Sequence, residues 1–220
     1  MLTADMLRRA TGAGVGVGVA SEGEVENSPA EPDELPSGAP AGRRASFTLG
    51  RIAARRALMD FGEPAQSIPV GPEGSPAWPP RIVGSVAHTA GVGVAVVGWA
   101  ALFAGLGVDV EAEGRVVTDG VRRRICTLEE AAWVSASQDP ALALKRVFCA
   151  KEATYKALAA RAGYFGFHDV RYTDAGPDRL EGVVLKLAWP DELPRSISAR
   201  TVVAAGFVVA CVAVPTHAGE

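Results

Sequence analysis

Asp109 and Glu111 stand two residues apart in the segment Gly107-Val108-Asp109-Val110-Glu111. In an extended strand this spacing sends both carboxylates out from one face, while Val108 and Val110 point to the other. Two like charges held side by side repel unless a cation lies between them, and carboxylate oxygens are the donors that hard ions such as Mg²⁺ favour. Taken alone, the pair is better read as a solvated strand face. A second set of residues shifts the balance. In Phe148-Cys149-Ala150-Lys151-Glu152-Ala153-Thr154-Tyr155-Lys156, Glu152 and Lys156 are four apart and leave one face of a helix, with Phe148, Tyr155 and Ala159 as candidate anchors of the neighbouring stripe. Alone, this is a surface ion pair worth about 0.3–0.5 kcal/mol. Together, three carboxylates and a lysine describe a site for a phosphate-bound metal. Such an ion takes few protein carboxylates and bridges to substrate phosphate oxygens, and the lysine neutralises phosphate charge.

Periodicity predicts the elements that must position these groups. An initial strand in the Gly- and Val-rich stretch 13–20 is expected to be flexible, and residues 21–42, rich in Pro, Gly, Ser and acids, read as a long, partly disordered surface connection. A helix follows over 45–61, stopped by Gly62 and Pro64 and carrying Arg51, Arg55 and Arg56. Two apolar runs over 82–97 flank Thr89-Ala90-Gly91 as a hairpin, and 107–111 is a further strand. Thr127 with Glu130 three residues on forms a capping box that opens a short helix, and a second helix runs over 142–162. Strands return over 183–187 and 200–214. Helix followed by valine-rich hairpin thus occurs once in each half, which predicts an α/β (α+β) fold of two pseudo-symmetric lobes. Each lobe is a small antiparallel sheet packed on a helix, divided at 1–107 and 108–220, with the site in the cleft between them.

Composition narrows the function classes. Of 220 residues, 48% are hydrophobic and 21% charged, as in a globular protein with a real core. The apolar runs are glycine-broken or too short and valine-rich for a membrane span, and no convincing signal peptide precedes them, so a cytoplasmic protein without membrane contact is expected. A net charge of −3 gives no general attraction to nucleic acid. Cys126, Cys149 and Cys211 lie far apart and read as reduced thiols. The GxG repeats near the N-terminus lack the helix and downstream acid of a dinucleotide fingerprint. Arg122-Arg123-Arg124 reads either as a steering surface for an acidic partner or as a solvated basic turn.

Taken together, GVDVE followed by FCAKEATYK resembles the paired signature of the 4'-phosphopantetheinyl transferase superfamily, in its single-chain, two-lobed type from siderophore and peptide-synthetase pathways. Upstream, Gly84-Ser85-Val86-Ala87-His88 is similar to the family's GSxxH segment and residues 74–80 (GSPAWPP) to its GxPxWP segment. Arg43 with Phe47-Thr48-Leu49-Gly50-Arg51 is similar to its arginine-bearing helix. Glu73 departs from the pattern, since some relatives carry a basic residue there.

The resemblance implies coenzyme A bound between the lobes and transfer of its phosphopantetheine arm to a serine of an acyl or peptidyl carrier protein, leaving adenosine 3',5'-bisphosphate. It further implies carriers of siderophore, polyketide or nonribosomal peptide pathways. By position, Asp109, Glu111 and Glu152 would hold Mg²⁺, with Mn²⁺ as a substitute. Lys156 and His88 would contact the pyrophosphate, Arg43 and Arg51 the 3'-phosphate, with Ser85 beside the coenzyme. Glu152, Lys156 and His88 form the expected catalytic set. His168 and His217 receive no role, and with two lobes in one chain a monomer is expected. Two other readings exist: a relative that binds coenzyme A or a carrier without turnover, and a metal-dependent nuclease. The nuclease pattern usually sets Glu and Lys two apart on a strand, whereas here they are four apart on a helix.

Overall fold

The structure, a computed structural model, describes residues 1–216 apart from positions 29, 37, 39, 72, 73, 90 and 115–118. Glu73, Ala90 of the hairpin turn and His217 therefore lie outside the described residues. The elements in chain order are α1 (Ala4–Arg8), β1 (Gly16–Ser21), α2 (Ala41–Asp60), β2 (Ile82–Thr89), β3 (Val92–Trp99), β4 (Phe103–Ala112), α3 (Asp119–Ile125), α4 (Leu128–Ala136), α5 (Pro140–Ala162), β5 (Val170–Asp174), β6 (Arg179–Val184), β7 (Ser196–Ala204) and β8 (Phe207–Pro215).

Two antiparallel sheets result, ordered β1-β3-β2 and β4-β8-β7-β6-β5. Helix α2 covers one face of the first and α5 one face of the second, so the expected α+β fold of two helix-on-sheet lobes is what the chain adopts. The far faces share a single apolar layer, in which Leu7, Val17, Val94 and Val96 of the first lobe meet Val108, Val110, Val202 and Val209 of the second. Strands β2 and β4 lie alongside each other at the junction, where the Val108 amide donates to Ser85 Oγ at 3.1 Å.

The helices sit unusually low on their sheets, and the sequence allows it by the same device twice. A Cβ at Gly16 or Gly18 would come within 2.5 or 1.9 Å of the carbonyl oxygens of Ala57 and Ala53, and one at Gly105 or Gly107 within 1.9 or 1.8 Å of those of Ala157 and Ala153. A Gly-x-Gly strand facing an Ala-x-x-x-Ala helix thus recurs in each lobe. This corrects the expectation of a flexible first strand. β1 is paired with β3 and largely buried, and its glycines are spaces for a helix backbone.

The segment 21–42 also departs from the expected loose connection. Glu34 in its middle is fully buried, accepts from Arg55 at 2.5 Å and from the Ile68 amide at 2.9 Å, and ties the segment to α2. The buried stripe of α5 is Ala150, Ala153, Ala157 and Leu158 rather than Phe148, Tyr155 and Ala159. Small residues are required where the glycines bring β4 close, and Tyr155 is displaced to the surface.

Candidate functional site

Both motifs meet where β4 crosses α5. Asp109 is nearly buried, and the Lys156 ammonium donates to its Oδ1 at 2.8 Å and to the Val108 carbonyl at 3.1 Å. The charge pairing therefore runs from helix to strand rather than along the helix from Lys156 to Glu152. Asp109 Oδ2 is buried and accepts no hydrogen bond. An acceptor in that condition loses its hydration without compensation, so it is a place where a cation would be stabilised.

Glu152 faces the same region. Burial pushes its carboxyl pKa up, the negative charge of Asp109 adds to the shift, Lys156 opposes it, and Glu111 adds a smaller push. Asp109, Glu111 and Glu152 thus feel one another's charge. Among the described residues, no group of three or more His, Cys, Asp or Glu side chains converges into a metal-holding cluster. The donor chemistry nevertheless fits a hard cation: three carboxylates of one electrostatic neighbourhood, one with an unpartnered oxygen. Beneath them, burial raises the Cys149 thiol well above its ordinary pKa, with Asp109 and Glu111 adding to the effect.

His88, at the end of β2, approaches this group from the other lobe. Desolvation lowers its imidazole pKa, the nearby Lys156 cation lowers it further, and Asp109 opposes them. The residue as a whole is exposed. Ser85, on the same strand, is buried, and its hydroxyl accepts the bond from Val108 that joins β2 to β4.

The arginines of α2 separate cleanly. Arg55 pairs with Glu34, and Arg56 with Glu24 and the Val19 carbonyl. Arg51 is 3% exposed, and its Nε and Nη2 are buried without a hydrogen-bond partner. Burial pulls its guanidinium pKa down, partly offset by the charge of Glu34. Arg43, one end of the same helix, is exposed.

Residues 31–98 match the 4'-phosphopantetheinyl transferase N-terminal domain, and residues 105–212 match the 4'-phosphopantetheinyl transferase superfamily. Over 158 residues the chain is 37% identical to the 4'-phosphopantetheinyl transferase PptT of Mycobacterium tuberculosis, covering 68% of this chain and 69% of that protein. The chain belongs to the 4'-phosphopantetheinyl transferase superfamily. It is also 39% identical over 135 residues to the 4'-phosphopantetheinyl transferase Npt of Nocardia iowensis, spanning 60% of this chain and 59% of that protein. With enterobactin synthase component D of Salmonella typhi the identity is 33% over 134 residues, 60% of this chain and 55% of the other.

In this member of the superfamily the structure brings together Asp109, Glu152, Lys156 and His88, with Glu111 one strand step further and the arginines on α2. It adds what no motif marks. Beside Glu152 opens a cavity of about 430 Å³ lined in part by Tyr155, Tyr164, Phe165 and Phe167. The aromatic run Tyr164-Phe165-Gly166-Phe167, directly after the helix-ending Gly163, is a sequence feature that the motif reading passed over. Lys151, adjacent to Glu152, is a scaffold residue: its ammonium donates to Glu130 at 2.6 Å and to the Ile125 and Phe167 carbonyls at 2.9 and 2.6 Å. Glu130, the capping-box residue, also accepts from the Thr127 and Tyr172 amides, both at 2.7 Å. Arg122 donates to Ser135 at 2.8 Å, so at least this member of the arginine run is tied to the fold. Among the described residues, no helix is long and apolar enough to cross a membrane.

Proposed function

We propose that this chain transfers the 4'-phosphopantetheine arm of coenzyme A to a serine hydroxyl of an acyl or peptidyl carrier protein, releasing adenosine 3',5'-bisphosphate. The observation that carries the reading is the charge cluster at the lobe junction. There Asp109 with its unpartnered oxygen, Glu152 with its raised pKa and Lys156 lie within electrostatic reach of His88 on the opposite lobe. Division of labour follows from this arrangement: residues 1–107 take the 3'-phosphate and part of the pyrophosphate, and residues 108–220 carry the metal and the proton transfer.

In the reaction the serine oxygen forms a bond to the phosphorus bearing the pantetheine arm. The bond from that phosphorus to the bridging pyrophosphate oxygen breaks, and the electron pair leaves with the nucleotide. Serine is a weak nucleophile near neutral pH, so its proton needs an acceptor of matched affinity. Glu152 is the candidate for this role: it is half-buried beside Asp109 and Lys156, and in the metal-free chain burial and neighbouring charge raise its proton affinity. Lys156 and His88 stabilise charge on the departing oxygen by hydrogen bonding and, for Lys156, by its cation. When bound by Asp109, Glu111 and Glu152, Mg²⁺, or Mn²⁺ in its place, supplies further neutralisation of the pyrophosphate oxygens. The aromatic-lined cavity beside Glu152 offers room for the pantetheine arm. Carriers from siderophore, polyketide or nonribosomal peptide assembly, a monomeric state and a cytoplasmic location belong to the same proposal.

The test is incubation with coenzyme A, Mg²⁺ and apo carrier domains of several types, followed by weighing each carrier by mass spectrometry. A mass gain of one phosphopantetheine group on a carrier serine is expected, together with its loss in Asp109→Ala and Glu152→Ala variants that remain folded. No gain on any carrier, with a competent enzyme as control, rejects transfer. Wild-type rates in either variant reject the roles given to the carboxylates.

A further inference from the structure

Phe47 lies on α2 one turn from Arg43 and one turn from Arg51, half-buried, and belongs to none of the apolar clusters that form the core among the described residues. Its surroundings are cationic instead. The guanidinium carbons of Arg43 and Arg51 lie 5.7 and 5.8 Å from its ring centre, and the His88 imidazole is 6.4 Å away, centre to centre, tilted by 48°. A guanidinium over an aromatic ring is attracted by the ring's quadrupole and is held in orientation by it. Arg43 is exposed and long, so without such a contact its side chain would lose considerable rotamer freedom on binding. Arg51 is shut in with two unpartnered nitrogens, a state that favours an incoming anion. A single ring therefore gathers two cations and a histidine that would otherwise repel or stray.

We propose that Phe47 is a positioning residue that holds Arg43 and Arg51 converged on the 3'-phosphate of coenzyme A, so that discrimination between 3'-phosphorylated and unphosphorylated nucleotides depends on this aromatic ring. The inference rests on the coenzyme reading given under Proposed function. It extends that reading to a side chain that contributes no hydrogen-bonding or charged group of its own.

The experiment is calorimetric titration, in metal-free buffer and without carrier, of adenosine 3',5'-bisphosphate and of adenosine 5'-monophosphate into the full chain and its Phe47→Leu and Phe47→Tyr variants. Phe47→Leu keeps an apolar side chain and removes the π face, whereas Phe47→Tyr keeps it. The wild type is expected to favour the bisphosphate. Phe47→Leu is expected to lose about tenfold in bisphosphate affinity, the size of one to two cation–π contacts, with monophosphate binding unchanged, and Phe47→Tyr to restore the wild-type preference. Three results overturn the role of Phe47: an unaltered preference in Phe47→Leu, an equal loss for both nucleotides, or a Phe47→Tyr variant as impaired as Phe47→Leu. A wild type that binds both nucleotides equally overturns the coenzyme reading itself, which the variants' behaviour alone does not.

Discussion

Arg51 on α2 and Lys151 on α5 occupy equivalent places: each stands two residues before the alanine, Ala53 or Ala153, whose carbonyl faces the second glycine of the strand below, and each is 3% exposed. Their surroundings differ. Lys151 donates to three oxygens, one of them the Glu130 carboxylate, and Glu130 in turn fastens α4 to the outer strand β5. Arg51 leaves two nitrogens without any acceptor. A buried cation whose donors find no acceptor costs free energy, because its lost hydration is not replaced, and the nearby charge of Glu34 offsets this only in part. The pseudo-symmetric fold thus holds the same position twice, once completed by the chain itself and once left incomplete. The second lobe uses its buried cation as scaffold, whereas the first leaves donors of its buried cation open, which is what the proposed function assigns to an anion.

The largest effect is expected from breaking the completed member. Lys151→Met strands the Glu130 carboxylate in the interior and should lower unfolding free energy by about 3–5 kcal/mol, measured by chemical denaturation. A loss under 1 kcal/mol would mean that the Glu130 network does not need its cation. Next come the glycines that set both helices. Gly18→Ala and Gly107→Ala place a methyl where 1.9 and 1.8 Å separate it from a carbonyl oxygen, so each should cost about 1–3 kcal/mol or more by forcing the helix away. Gly12→Ala, with nothing within 4 Å, should be near neutral. Equal melting temperatures for all three variants would refute the packing device.

A smaller effect concerns the paired arginines next to Arg51. The hydrogen bond from Arg56 holds the Glu24 carboxyl down at about 2, burial opposes this, and the Ser21 amide and hydroxyl reinforce it. A depressed folded-state value means that the stabilisation is complete above the ordinary carboxylate pKa near 4.5 and is lost as pH falls towards 2. Because the pair is partly exposed, solvent screens it and the contribution is modest. Melting curves of Glu24→Gln and wild type should therefore converge between those pH values, and a constant difference across the range would contradict the pairing.

Much of this was legible in the sequence where periodicity and spacing are local. The hairpin of β2 and β3, the strand of β4, both long helices and the Thr127–Glu130 box follow from neighbours within a few residues. The carboxylates and Lys156 follow because strand and helix periods place them on known faces. What stayed hidden depends on distant partners. The glycines of β1 read as flexible because the alanines that need their space lie more than 30 residues away. Lys151 and Glu130 are 21 apart and carry no pattern that joins them. The resemblance singled out Arg51 with Arg43, but that Glu34 and Glu24 fold back to neutralise Arg55 and Arg56 carries no local pattern. Strand β5 is five residues long and leads into Asp174-Ala175-Gly176-Pro177, too brief an alternation to separate from its turn.

Thermal unfolding of wild type and Arg51→Met with and without adenosine 3',5'-bisphosphate tests whether the open donors of Arg51 take a phosphate. The variant should melt higher than wild type in the absence of nucleotide, since it removes a buried charge whose desolvation Glu34 offsets only in part, and the nucleotide should raise the melting temperature of wild type alone. A variant that melts lower without nucleotide, or that is stabilised by the nucleotide as strongly as wild type, would contradict it.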